Sequence, residues 1–426
     1  MLLYFTASNH RSILDEVELS MIAIDERPAA RPVRGLEELA LTTVGIYGPN
    51  ASGKSNVLSA LTWLSDAVRA SLRSWDRHIP RDPHLLGSGA RDPSSFEIGL
   101  SVNDVRYRYR VTLDDEHVVA EDLWSYPKGR SRHLFGRNDD TISFRRGLGS
   151  VRAIRELLGP STLVLSVARR IDHPELGPVA RFVSSMTTLE QGHRVTSDQI
   201  LMDWENGLDG SASTLDLFTH GGDANQPSLF TGDSGRPTTD EALDVLRYAD
   251  PSISAVKIER RESDLFTPPE TTFGFAHVSD SGVVVFGFED ESAGTRTWFR
   301  LIGPALTSLQ AGTPLLVDEI DASLHPHLAV RLLDLFRDPE SNPKGAQLIF
   351  TSHDAYVLSH LNRDELWLTE KDTKGRTHLT PVSDFGGDFV RKSRRLDRAY
   401  LAGRFGAVPD LPLRLHRTRL PEPLPQ

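Results

Sequence analysis

The stretch Gly48-Pro49-Asn50-Ala51-Ser52-Gly53-Lys54-Ser55 satisfies G-x-x-x-x-G-K-[ST] at every position, and no other feature narrows the fold so far. A β-branched run, Thr43–Tyr47, leads into it. Beyond it Val57, Leu58, Leu61, Leu64, Val68 and Leu72 recur at helical spacing. In a strand–turn–helix of this kind consecutive backbone N–H groups converge on phosphate oxygens, and the helix N-terminus adds its partial positive charge. Lys54 is expected to neutralise the β/γ-phosphates and Ser55 to ligate Mg²⁺ through its hydroxyl.

A second chemistry-bearing element is Leu315-Leu316-Val317-Asp318-Glu319, an apolar strand ending in two acids. In a parallel sheet ligands sit beyond the carboxyl ends of strands, which would place these side chains beside the phosphate loop. Asp318 is then the expected Mg²⁺ ligand, and Glu319 the group that orients and polarises an attacking water. Gln347–His353 ends another apolar strand in a polar group, where the imidazole of His353 could meet a γ-phosphate. Ser292, in Glu291-Ser292-Ala293-Gly294-Thr295, stands before a helix read over Thr295–Leu309, and its open first turn makes a second anion site. Two separated phosphate-binding turns make sense if two copies of the chain face each other.

From Lys54 to Asp318 there are 264 positions, more than a compact nucleotide fold needs, so a large insertion splits the sheet. Short strands are read at Leu2–Ala7 and Leu14–Ile22, and an antiparallel hairpin at Phe96–Leu113 turning on Asn103-Asp104. Residues from about 150 to 205 read as mostly helical, and Asp209–Pro237 as a surface loop. Thr238 with Glu241 makes a capping box, and strands return at Ala255–Arg261, Thr271–Val278 and Gly282–Phe288. Apolar β-runs alternating with helices in the last third argue for an α/β fold: a P-loop NTPase with a parallel sheet, split by a mixed helical and β insertion. The division expected is an N-terminal lobe at 1–125, an insertion at 126–250, and a C-terminal lobe at 251–426.

The 426 residues carry 48 Lys and Arg against 59 Asp and Glu, a net charge of −11, so nucleic-acid contact would require a local basic patch. Two basic stretches, Arg69/Arg73/Arg77/Arg81 and Arg391–Arg395 with Arg398, and the alternating Arg106, Arg108 and Arg110 are the candidates. None is read as a single-strand stacking platform, since the tyrosines between Arg106, Arg108 and Arg110 fall on the opposite face of the strand. With no cysteine the chain has no disulfide, thiolate zinc site or cysteine nucleophile. His325-Pro326-His327 suits a helix start better than a chelate, so no metal beyond Mg²⁺ is expected. No apolar run reaches the ~20 residues that span a bilayer, and the chain reads as soluble and cytoplasmic, with no membrane partner.

The order of phosphate loop, long insertion, Ser-x-Gly helix, acidic strand, Asp321-Ala322-Ser323-Leu324-His325 and strand-His353 resembles ATP-binding-cassette heads. More closely, the chain resembles the AAA-type ATPases of the overcoming-lysogenization-defect (OLD)-like group, the abortive-infection ATP-binding proteins of bacterial anti-phage systems. The likeness covers nearly the whole length: Phe5 and Asn9-His10-Arg11-Ser12, Gly48–Asn56, Glu291–Thr295, Asp318–His327, Thr351–Asp354 and Tyr400–Pro409. It implies that ATP with Mg²⁺ is held by Gly48 through Asn56 together with Arg11 and Ser12. Ser292 and Gly294 would bind the γ-phosphate in the opposite protomer, Asp321 would lie at the dimer seam, and His353 would act as the switch histidine. It also implies a slow ATPase that senses infection and controls a separate toxin or nuclease. One alternative is a DNA-binding repair-type ATPase. Another, an OLD-type ATPase fused to a Toprim nuclease, needs an Asp-x-Asp pair around metal; only 107 residues follow Glu319, and they contain none.

Overall fold

The computed structural model describes residues 1–33, 36–76, 78–87, 89–190, 200–201, 214–219, 237–261, 270–280, 282–385 and 396–405. Five strands run parallel in the order Thr187–Glu190, Pro314–Asp318, Gln347–Thr351, Thr43–Tyr47, Leu366–Lys371, and Thr377–Pro381 closes the edge antiparallel. The phosphate-loop strand thus lies between the His353 strand and Leu366–Lys371, with the acidic strand one place further. Because these strands are parallel, Tyr47, Asp318 and Thr351 all finish on one edge, where α/β proteins bind ligands.

A second sheet is antiparallel and seven-stranded: Thr141–Phe144, Arg132–Asn138, Val118–Ser125, Val105–Leu113, Ser94–Val102, Leu2–Ser8, Val17–Ser20. Its hairpin turns on Asn103 and Asp104, both at positive φ (49° and 62°), the pair of left-handed residues that a two-residue hairpin loop requires. Helix Lys54–Ser74 lies between the two sheets. Val57, Leu58, Leu61, Leu64 and Val68 share one core with Phe5, Ile98, Tyr109 and Leu123 of the antiparallel sheet and with Leu316 and Ile349 of the parallel one. Leu315, Val317, Leu348 and Phe350, on the opposite face, pack in a second core with helices Ala293–Ala311 and Pro326–Arg337. Strand residues alternate between cores as a two-residue period demands.

The stretch expected to be helical yields Arg152–Leu157, Val164–Arg170 and Gly177–Ser184, but Thr187–Glu190 is a strand. Its threonines suit a pleated surface, and pairing with the acidic strand decides the outcome: Thr187 lies opposite Leu315 and Glu190 opposite Asp318. Most of the polar stretch Asp209–Pro237 lies outside the described residues. Within it, however, Thr214–Thr219 is a helix that buries Leu215 and Leu217, and the Thr214 hydroxyl donates to the Phe299 carbonyl at 2.6 Å. The capping box at Thr238 forms as expected. Ile253–Arg261, Glu270–Ser279 and Gly282–Gly287 make a separate three-stranded antiparallel sheet.

Glu121 joins the antiparallel sheet to the helices packed on it. Fully buried, its carboxylate accepts from the Val164 N–H (2.8 Å), the Leu165 N–H (3.3 Å) and the Tyr109 hydroxyl (2.9 Å). Burial outweighs these donors and Arg137, and pushes its pKa up from 4.5 to about 7. A folded-state pKa above the unfolded one gives stability that is full below pH 4.5 and lost as pH rises through 7. That shift corresponds to roughly 3 kcal/mol. Thermal unfolding followed from pH 5 to 8 is expected to show this loss, and Glu121→Gln to flatten it; an unchanged slope in the variant would assign the dependence to other groups.

Candidate functional site

The phosphate loop is held from outside by the hairpin that closes the parallel sheet. Gly48 (φ 152°) and Gly53 (φ 106°) lie against it so closely that a β-carbon would fall 2.4 Å from the Thr369 carbonyl oxygen and 2.1 Å from Thr377 Oγ1. Both positions therefore require glycine. Hydroxyls complete the brace. Thr369 donates to the Tyr47 carbonyl (3.2 Å) and shares a hydrogen bond with Ser52 (2.6 Å). Thr377 donates to the Ser52 carbonyl (2.9 Å) and shares one with Ser12 (2.7 Å), whose Oγ also accepts from Asn56 Nδ2. Ser12 is thereby brought to the loop. Arg11 is not: its guanidinium pairs with Asp82 at 3.1 Å, exposed to solvent. Pro49, Asn50 and Ala51 (φ 63°) form the open lip. From the C-terminal helix Leu396–Leu401, Tyr400 hydrogen-bonds to the Gly48 backbone and sets its ring edge-on to Tyr47.

Lys54 is buried at the start of the helix, and Nζ donates to the carbonyls of Gly48 and Pro49, 3.1 Å each. Burial lowers its pKa, with Asp318, Glu319 and Asp321 acting in the opposite sense. Asp318 Oδ1 accepts from the Ser55 hydroxyl (3.0 Å) and the Thr351 hydroxyl (2.5 Å). Thr351 Oγ1 in turn accepts from the Glu319 N–H at 2.7 Å. Glu319 is exposed at φ 54°, a left-handed conformation that costs a non-glycine residue roughly 1–2 kcal/mol. Asp321 Oδ2 accepts from the His353 N–H at 3.2 Å, and its Oδ1 is buried with no partner among the described residues. Burial first, and then Lys54, hold the His353 imidazole below its ordinary pKa against the pull of the three carboxylates, so it is neutral at pH 7. Lys54, Ser55, Asp318, Glu319, Asp321 and His353, read from separate motifs, thus meet at one edge. The oxygen donors of Ser55 and Asp318 suit a hard cation such as Mg²⁺.

Ser292 caps helix Ala293–Ala311, accepting from the Thr295 N–H at 3.1 Å, and it is exposed. A β-carbon on Gly294 would meet only the Ser323 carbonyl, at 3.4 Å, and the Ser292 hydroxyl. Among the described residues no hydrogen bond joins Ser292 or Gly294 to the phosphate loop of the same chain. The turn is anchored instead by Glu291, whose Oε1 lies 2.7 Å from His277 Nε2, while His277 Nδ1 meets Ser252 (2.8 Å) and Asp250 (3.8 Å). The carboxylates approach opposite ring nitrogens, so His277 ties the turn to the three-stranded sheet and to Asp250. His325 caps Pro326–Arg337 by accepting from the His327 N–H, the helix start its spacing suggested.

Thr369, Thr377 and His277 escape the sequence reading, and Glu291 and Thr351 enter it inside motifs without a role of their own, because each acts across sheet pairings or between distant segments. Of the acids following Glu319, Asp364 pairs with Arg27, Glu365 with Arg337 and Asp372 with Arg376, so these are committed to structure. The basic stretch at Arg391–Arg395 and residue Arg77 lie outside the described residues. Arg69 and Arg81 serve structure, Arg69 bonding to Asp66 and the Ser184 carbonyl and Arg81 to Asp115. Thr377→Val keeps the shape of the brace and removes its hydrogen bonds. At about 1 kcal/mol each, their loss is expected to weaken binding of a fluorescent ATP analogue by roughly five- to thirtyfold while lowering the melting temperature by only a few degrees; an unaltered affinity would show that the brace does not set the loop.

Among solved structures the chain is similar to an SMC head bound to the C-winged helix domain of ScpA (14% identity, covering 92% of this chain and 99% of that one, TM-score 0.46). It is also similar to the SMC head domain from Thermotoga maritima (13% identity, 89% and 98%, TM-score 0.38). TM-scores below 0.5 do not establish a shared fold, and the α/β class stands on the sheet order above. No curated protein matches the chain. A family model does, over residues 44–359, the span from the phosphate-loop strand past His353. The chain therefore belongs to the P-loop ATPase family described as "AAA domain, putative AbiEii toxin, Type IV TA system".

Proposed function

We propose that the protein is a slow ATPase of the OLD-like abortive-infection type, which closes as a head-to-tail dimer over two ATP–Mg²⁺ and thereby controls a separate toxin or nuclease in anti-phage defence. In this reading lobes 1–125 and 251–426 form one ATP-binding-cassette head. The insertion 126–250 carries closure to the effector, its first strands extending the sheet of the N-terminal lobe. The observation that carries the proposal is the division of the anion-binding groups. Phosphate loop, Asp318, Glu319 and His353 gather at one edge, whereas the exposed Ser292 turn has no bond to its own loop among the described residues.

The residues then act as follows. The loop amides from Gly48 to Ser55 hold the phosphates, and Lys54 leaves the Gly48 and Pro49 carbonyls for the β- and γ-oxygens. Ser55 and Asp318 would hold Mg²⁺, which when bound would supply positive charge to the phosphates. Glu319 orients a water and takes its proton as the oxygen bonds to γ-phosphorus and ADP departs. His353 donates to the γ-phosphate. Ser292 and Gly294 of the opposite protomer cover it, with Asp321 at the seam. Closure requires triphosphate because a γ-phosphate alone can reach both subunits.

Glu319→Gln with ATP and Mg²⁺ is expected to double the mass read by light scattering, and Ser292→Arg in that background to abolish the doubling with ATP affinity retained. Lys54→Ala should abolish ATP binding altogether. A Glu319→Gln protein that holds ATP and stays monomeric contradicts the dimer. For the defence role, co-expression with the adjacent gene should give toxicity or phage protection that Lys54→Ala removes; an effector indifferent to that substitution contradicts it.

A further inference from the structure

The alternating arginines Arg106, Arg108 and Arg110 lie on the outward face of the seven-stranded sheet, and the register brings aromatic rings to that face. Arg108 lies opposite Trp124, and Trp124 opposite His133. The Arg108 guanidinium stands 4.8 Å from the Trp124 ring centre, and that ring stacks on His133 at 5.0 Å. One step along, Arg106 lies 5.1 Å over Tyr126. Tyr107 and Tyr109, which alternate with the arginines along the chain, turn to the core, and the rings that meet the arginines come from the neighbouring strand and the residue after it.

The carboxylates beside them are already engaged: Glu97 by Arg108 (3.0 Å) and the Tyr4 hydroxyl (2.8 Å), and Asp122 by His133 (2.8 Å). Arg106, Arg110, Lys128, Arg130 and Arg132 have no carboxylate partner among the described residues, and all but the half-buried Arg106 are exposed. Lys128 and Arg130 lie in the turn that joins the Trp124 strand to the His133 strand, and Arg132 opens the latter. Unpaired cations gathered on one face of a chain of net charge −11 form the local patch that polyanion binding requires. Same-face strand residues repeat at about 7 Å, close to the step between phosphates of an extended strand. Guanidinium groups propped on rings are pre-organised for phosphate, and nearby rings accept bases without sequence preference. A duplex keeps its base faces stacked internally and could use only the charges.

We propose that this outer sheet face binds single-stranded nucleic acid, with Arg106, Arg108, Arg110 and the Lys128–Arg132 turn on phosphates and the Tyr126 and His133 rings against bases. The proposal is independent of the ATP-dependent dimer. It is tested on the full chain by fluorescence anisotropy with labelled oligo(dT) and oligo(U) of about 20 nucleotides and a duplex of equal length. Both single strands are expected to bind with strong salt dependence, and whichever binds tighter identifies DNA or RNA. Combined Lys128→Glu, Arg130→Glu and Arg132→Glu should weaken binding at least about tenfold and reduce the log–log salt slope by roughly 2. Tyr126→Leu should weaken it with the slope unchanged. The charge reversals are at exposed positions, so melting temperature and ATP affinity should stay as in the parent. No binding of either oligonucleotide at low salt, binding indifferent to the charge reversals, or a duplex bound as tightly as single strands would overturn the proposal.

Discussion

Contact between two glycines and two threonines sets the geometry on which the rest of the molecule depends. Gly48 and Gly53 lie so near Thr369 and Thr377 that no β-carbon fits, and the threonine hydroxyls fasten the loop on its outer side. Residues from the beginning, the first quarter and the end of the chain meet there, since Ser12 shares the hydroxyl of Thr377 and Tyr400 reaches Gly48. The loop has few hydrogen bonds of its own, Ser52 N–H to the Pro49 carbonyl and Lys54 to the Gly48 and Pro49 carbonyls, and the neighbouring hairpin adds the rest. Pre-organisation of this kind lowers the ordering cost when an anion arrives.

The same arrangement explains how an inserted segment of such length is compatible with one sheet. The antiparallel sheet and the parallel sheet share helix Lys54–Ser74, which is apolar on the faces toward both. Strand Thr187–Glu190 then returns from the insertion to pair with the acidic strand, so the inserted region is bound to the sheet at a position next to Asp318. The three-stranded sheet is likewise tethered, through His277 and Glu291, to the turn that exposes Ser292. Strand Thr187–Glu190 and the three-stranded sheet thus each attach beside a residue of the candidate site.

Much of this was legible in the sequence wherever chemistry and periodicity coincide. Gly48–Ser55, Asp318, Glu319 and His353 declare themselves because each follows an apolar strand, and parallel pairing brings such ends together. Thr187–Glu190 was read within a helical stretch because four residues hold too little pattern, and only the partner strand decides them. Thr214–Thr219 was hidden by polar neighbours although Leu215 and Leu217 are buried. The bracing threonines and the Arg108–Trp124–His133 ladder depend on cross-strand register, which no local spacing encodes. Arg11, grouped with Ser12 by resemblance, turns away to Asp82.

The central claim is that the Ser292 turn completes the nucleotide site of another copy. The chain contains no cysteine, so introduced thiols report without background. The most direct measurement mixes a Ser292→Cys chain with an Asn50→Cys chain, both carrying Glu319→Gln, and follows disulfide formation between them with and without ATP–Mg²⁺. A heterodimeric cross-link is expected to appear with ATP and to be absent with ADP. A cross-link indifferent to nucleotide, or none at all while ATP is bound, would contradict the central claim.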